Sequence, residues 1–139
     1  MAPVSRVFEL KPFRWPRLWV GLWCVAIMAV IVLSLVNLSG LPPVPEGGDK
    51  VEHFIAYALL STSAMQLFAT RRGCVVAALM LVALGIVVEF AQGSLTATRM
   101  ADAQDALANA LGVLAGFATR LTPFSRLLLA IDARLPARA

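Results

Sequence analysis

Apolar residues fall in four runs along the chain, residues 19–36, 51–69, 74–92 and 102–119, and most acidic and hydrogen-bonding side chains gather at their ends. A bilayer crossing takes roughly 20 apolar residues, so each run reads as a transmembrane helix, joined to its neighbours by short connections. The first run, WVGLWCVAIMAVIVLSLV, and the third, CVVAALMLVALGIVVEFAQ, are the most lipid-compatible. The second carries Glu52, His53 and Tyr57 in its first turns and Ser61, Thr62, Ser63 and Gln66 later, which places it inside a bundle. The fourth is weakest by hydropathy and rich in small residues, and its Gly112 and Gly116 form a G-x-x-x-G pair that permits close helix approach.

Between the first two runs the segment NLSGLPPVPEGG stops helices, with Pro42, Pro43 and Pro45 favouring an extended path and Gly47 and Gly48 allowing a turn. Asp49 then stands where an N-cap or first-turn carboxylate meets free backbone N–H groups. After Pro123, Phe124, Leu127, Leu128 and Ile131 recur at helical spacing among Arg126, Asp132 and Arg134, which predicts a short interfacial C-terminal helix. The expected fold is all-α: a four-transmembrane-helix bundle with both termini cytoplasmic. It divides into a basic leader (1–18), a helical membrane domain (19–121) and a basic tail (122–139).

Composition strengthens this reading, since 60% of the 139 residues are apolar, 14% are charged and the mean hydropathy is +0.81. A net charge of +4 and a pI near 9.8 resemble a nucleic-acid binder, but the placement of the charges argues against nucleic acid. Ten of the twelve basic residues precede the first run, separate the second from the third or follow the fourth, positions that alternate topology puts on one side. The positive-inside rule makes that side cytoplasmic and the expected location the bacterial inner membrane, crossed several times. The basic leader and apolar run also describe a signal peptide, but the run is longer than a usual signal core and no convincing cleavage site follows, so it reads as a retained anchor. Trp15, Trp19 and Trp23 then suit the headgroup level, and Cys24 and Cys74, which lack metal-type spacing, read as small apolar residues.

Three polar stretches remain. In DKVEHFIAY, Asp49, Glu52 and His53 share one side of a helix with Tyr57 a turn deeper, and His53 can carry a proton or bind a metal. Glu89, embedded in LGIVVEFAQG, must reach the interface, pair within the bundle or take up a proton, and Gln92 lies on the same face. In RMADAQDALAN, Asp102, Asp105 and Asn109 form a stripe that Gly112 and Gly116 extend inward, so this face should meet protein; Asp102 or Asp105 also suits a helix cap. Alternate crossings bring the three stretches to the outer face. There His53, Glu89, Asp102 and Asp105 are the candidates for proton transfer, and Lys50, Tyr57, Gln92, Arg99 and Asn109 for holding a substrate, Arg99 through an anionic group. Paired carboxylates could hold a divalent cation, although no spacing specifies a metal and no cofactor motif is present.

The ordered set DKVEHFIAYALL, LGIVVEFAQ and RMADAQDALANALGVLAG resembles the VanZ-like family of small bacterial membrane proteins, over roughly residues 49–116. The resemblance implies that Asp49, Lys50, His53 and Tyr57 match the family's first motif, Glu89 and Gln92 its second, and Arg99, Asp102, Asp105, Asn109 and Gly112 its third. It implies a cell-envelope setting, in a family named for a protein associated with glycopeptide resistance, and no particular reaction. The expected function is an outward-facing polar pocket that binds or modifies a lipid-linked or anionic headgroup. The alternative is a noncatalytic structural or accessory membrane protein whose polar network stabilises the bundle and a partner interface. Expected partners are membrane lipids or lipid-linked envelope precursors, with Gly112 and Gly116 also able to support a homo-oligomer.

Overall fold

Helices occupy all four apolar runs in the computed structural model, which describes residues 7–36, 47–95 and 102–136. They are α1 (Pro16–Leu35), α2 (Gly48–Leu67), α3 (Arg71–Leu95) and α4 (Ala103–Ala118), followed by two 3-10 turns (Thr119–Leu121 and Pro123–Arg126) and α5 (Leu127–Asp132). Local chemistry sets the starts. Pro16 opens α1 with its φ already helical. Gly47, at φ +79°, makes the left-handed turn into α2, with Asp49 in the first turn. Thr70 caps α3 by accepting from the backbone N–H of Gly73 at 3.0 Å, and Asp102 caps α4 by accepting from that of Gln104 at 2.8 Å.

The expectation of four membrane crossings is corrected. Only α1 and most of α3 (Arg71–Ser94) are long and apolar enough to be candidate spans among the described residues. With 16 residues, α4 is about 24 Å long, shorter than a hydrocarbon core of roughly 30 Å. Asp49, Lys50 and Glu52 begin α2, and Ser61, Thr62, Ser63 and Gln66 follow them. The described residues form an all-α bundle of five helices with two candidate spans. The four-pass topology, its cytoplasmic termini and the inner-membrane multipass location therefore lose their basis.

The most extensive helix contact joins α2 to α4. A Cβ on Gly116 would lie 2.6 Å from Ser61 Cβ and 2.7 Å from Thr62 N, and one on Gly112 would overlap Phe54 O, so the small stripe is where α4 seats on α2. Two apolar clusters lie along this axis. One holds Met65, Leu67, Phe68, Cys74 and Ala77 with Phe13 of the leader, and the other Tyr57, Leu60, Leu81 and Val113. No residue of α1 is buried. Polar ties nevertheless attach it at three heights: Trp19 Nε1 donates to Asp132, Trp23 Nε1 to Leu60 O at 3.0 Å, and Gln92 Nε2 of α3 to Ser34 O at 2.8 Å.

The leader and the tail close one end together. Leu10 and Phe68 form an isolated antiparallel bridge, with Lys11 N donating to Leu67 O at 2.9 Å and Ala69 N to Glu9 O at 2.8 Å. Lys11 Nζ donates to Met65 O and Ser125 O. Asp132, on the C-terminal turn of α5, is 1% exposed and accepts from the backbone N–H groups of Arg14 and Trp15 as well as from Trp19 Nε1. Burial pushes its carboxyl up, but these donors together with the Arg14 charge outweigh burial and hold it below the usual carboxylate range.

Candidate metal centre

Three helices each send one acidic or imidazole side chain to a common point. His53 comes from α2, Glu89 from α3 and Asp105 from α4, all buried, with one potential ligand atom of each lying within 4.8 Å of the others. These residues form a buried cluster able to coordinate a metal ion. His53 Nδ1 is 3.8 Å from Glu89 Oε1, and His53 Nε2 is 4.0 Å from Asp105 Oδ2. The ring is fixed by Asn109 Oδ1, 3.0 Å from Nδ1. An amide oxygen can only accept, so in this arrangement Nδ1 carries the proton and Nε2 keeps the lone pair facing Asp105.

The expectation of an outward-facing pocket is also corrected. His53, Glu89, Gln92, Asp105 and Asn109 are all at most 9% exposed, because the polar face of α4 that begins at Asp105 packs against α2 and α3 instead of opening outward. The cluster forms part of the wall between two clefts. One, of about 320 Å³, is lined by Ile86, Glu89, Phe90, Asp102, Ala103 and Ala106, and the other, of about 250 Å³, lies where His53, Tyr57 and Glu52 face Ser34 of α1.

Around the cluster lies a more exposed ionic rim. Lys50 Nζ is 3.1 Å from Asp102 Oδ2, 3.3 Å from Asp105 Oδ1 and 3.6 Å from Asp49 Oδ2. The hydrogen bond to Asp102 is the largest influence on Lys50 and raises its pKa, reinforced by Asp105. Asp102 is held below the usual carboxylate range, first by the backbone N–H of Gln104 and then by Lys50. Its own backbone N–H points at Glu89 Oε2, 3.4 Å away, which joins the cap of α4 to the cluster. Asp105 is thus shared between the rim and the interior.

Several buried atoms lack hydrogen-bond partners among the described residues: Glu89 Oε1, Asp105 Oδ1, Asn109 Nδ2 and Tyr57 Oη. Burying such donors and acceptors unsatisfied costs about 1–3 kcal/mol each, more when charged. Two of the four belong to the carboxylates beside His53: Asp105 Oδ1 already has Lys50 Nζ at 3.3 Å, whereas Glu89 Oε1 has only the imidazole at 3.8 Å, and a cation would satisfy it. Tyr57 is a different case. Its hydroxyl is pushed up to about 12, by desolvation first and by the Glu89 charge second, and it therefore stays protonated.

One imidazole and two carboxylates suit a borderline divalent ion such as zinc or manganese, with metal–ligand bonds near 2.0–2.2 Å. Tetrahedral bonds of that length put ligand atoms about 3.4 Å apart, so the three side chains must draw in by about 1 Å from the 4.8 Å envelope.

Of the residues singled out in the sequence, His53, Glu89, Asp105 and Asn109 come together directly, with Lys50 and Asp102 on the rim. Tyr57 lies beside the cluster in the second cleft, and Gln92 turns toward α1. Arg99 lies outside the described residues. Ser34 and Asp132 escaped sequence reasoning. Ser34 contributes a backbone carbonyl, which leaves no residue-type signal, and Asp132 is a single acid in a basic tail. No family model, curated protein or solved structure matches this chain.

Proposed function

We propose that this protein is a noncatalytic, membrane-associated accessory bundle whose polar interior holds a structural divalent metal ion at His53, Glu89 and Asp105. One observation carries the reading: the three side chains come from three helices and converge, buried, with Glu89 Oε1 lacking a hydrogen-bond partner among the described residues. An ion bound there ties α2, α3 and α4 at the end where the ring and the carboxylates otherwise face one another at 3.8 and 4.0 Å. The same residues carry the resemblance to VanZ-like proteins, and we propose membership of that family with this cluster as the common feature of its three motifs.

The ion binds the folded arrangement and not the unfolded chain, so it should stabilise by RT ln(1 + [L]/Kd), about 2.7 kcal/mol at a hundredfold excess over Kd. Chelator-treated protein titrated with zinc or manganese should show that gain, and Glu89→Gln should abolish it. A flat titration in the wild type would refute the metal.

A second reading rests on the paired distances from the ring to Glu89 and Asp105: a protonated His53 bridging two carboxylates. It predicts a proton in place of the metal, hence no stabilisation by divalent ions.

A further inference from the structure

The end of the bundle farthest along α2 from the His53 cluster gathers nearly all the positive charge of the described chain. Contacts from Lys11 to Leu67 and Ser125, and from the Arg14 guanidinium to Leu135, bring the starts of α1 and α3, the end of α2 and the C-terminal turns to this one place. Arg14, Arg17, Arg71, Arg72, Arg126 and Arg134 are all exposed there. The described acids nearby are Glu9 and Asp132, and Asp132 is buried and committed to three N–H donors. Among the described residues the ion pairs involve Lys50 and His53 alone, and of the six arginines only Arg14 acts on a carboxylate, that of Asp132.

Beside this charge stand apolar side chains that a soluble surface would cover. Leu121 is 87% exposed, and Phe124, Leu127 and Ile131 project from the turns and α5. Cations flanking exposed aliphatic and aromatic groups match a headgroup layer over an acyl boundary. A free inorganic anion would gain nothing from the apolar part, and a nucleic acid would gain little from Leu121, Leu127 and Ile131, which are aliphatic and cannot stack on bases. The candidate spans α1 and α3 also both begin inside this ring of arginines.

We propose that this basic end binds an anionic phospholipid surface, with the arginines on headgroup phosphates and Phe124, Leu127 and Ile131 at the acyl boundary. The proposal is independent of the metal centre. Each basic side chain near an anionic surface contributes about 1 kcal/mol, or roughly fivefold in partition, so losing two arginines should weaken the interaction about 25-fold.

The test titrates the purified full chain, in nonionic detergent, with mixed micelles of dioleoylphosphatidylglycerol or of dioleoylphosphatidylcholine while following the thermal unfolding midpoint. Phosphatidylglycerol should half-saturate at a mole fraction at least tenfold below that of phosphatidylcholine, and high salt should erase the difference. Arg71→Gln with Arg72→Gln, and separately Arg126→Gln with Arg134→Gln, should each move the phosphatidylglycerol midpoint about 25-fold while leaving lipid-free unfolding unchanged. Glu89→Gln should leave the lipid response intact. Equal response to the two lipids, a shift reproduced by inorganic phosphate, or an unaltered response in both double variants would overturn the proposal.

Discussion

The seat of α4 on α2 supplies a prediction whose sign can be worked out before any measurement. Gly116→Ala adds one Cβ, which would lie 2.5 Å from Ala58 O, 2.6 Å from Ser61 Cβ and 2.7 Å from Thr62 N, all on α2. Ordinary contact begins near 3.4 Å, so α4 must retreat locally by about 0.8 Å from an interface that includes the backbone of its neighbour. A gap of that size forfeits a quarter to a half of each dispersion contact, and overpacking of this kind costs about 1–3 kcal/mol. Against it stands the helix propensity of alanine over glycine, worth about 0.8–1.0 kcal/mol. Overpacking wins, and the net loss should be at most about 2 kcal/mol. Gly21→Ala is the control, because nothing lies within 4 Å of the added Cβ and only the propensity gain remains. Denaturant titrations followed by far-ultraviolet circular dichroism should place these two chemically identical substitutions about 1–3 kcal/mol apart with opposite signs. Equal effects, or a stabilising Gly116→Ala, would refute the close seating of α4.

Three other consequences concern the polar groups. Asp132→Ala orphans three N–H donors and should cost about 2–3 kcal/mol, read as faster hydrogen exchange at Arg14 and Trp15. Because the folded pKa of Asp132 is depressed, its contribution is complete above the unfolded value of about 3.9 and is lost as pH falls through the lower folded value; the same exchange measured down the acid limb should show it. Lys50→Met removes a cation 3.3 Å from Asp105 Oδ1 that competes with a bound ion, so divalent affinity should rise by about tenfold in calorimetric titration, and a fall would contradict the sharing of Asp105. Tyr57→Phe deletes a buried hydroxyl that lacks a hydrogen-bond partner among the described residues and should stabilise by about 1–3 kcal/mol in a denaturant titration, and a loss of stability would contradict that reading.

The helices were legible because apolar runs and their breakers are local signals: Gly47 turns into α2 and Asp102 caps α4 as their types suggest. The small stripe was legible too, since Gly112 and Gly116 meet protein, here α2. Convergence of His53, Glu89 and Asp105 was expected from alternate membrane crossings, a premise that two candidate spans do not support, and it arises instead from the packing of α2, α3 and α4 on one another. Depth did not follow. An apolar run does not reveal whether its polar end meets solvent or a neighbouring helix, and α2 with α4 encloses residues that hydropathy placed at an outer face. Membrane crossing was overcounted for a related reason, as 16 residues of α4 are apolar enough to be buried in protein without being long enough to span. The Asp132 anchor was invisible because its donors lie 113 to 118 residues away along the chain.

Metal content tests the central claim most directly. Wild type and Glu89→Gln, purified without chelator and dialysed against metal-free buffer, should be compared by elemental analysis after loading with stoichiometric zinc or manganese. A divalent ion retained at about one per chain in the wild type and lost in Glu89→Gln, with both variants equally helical, is the predicted result. Equal retention by the two, or none by either, would contradict a metal centre built from His53, Glu89 and Asp105.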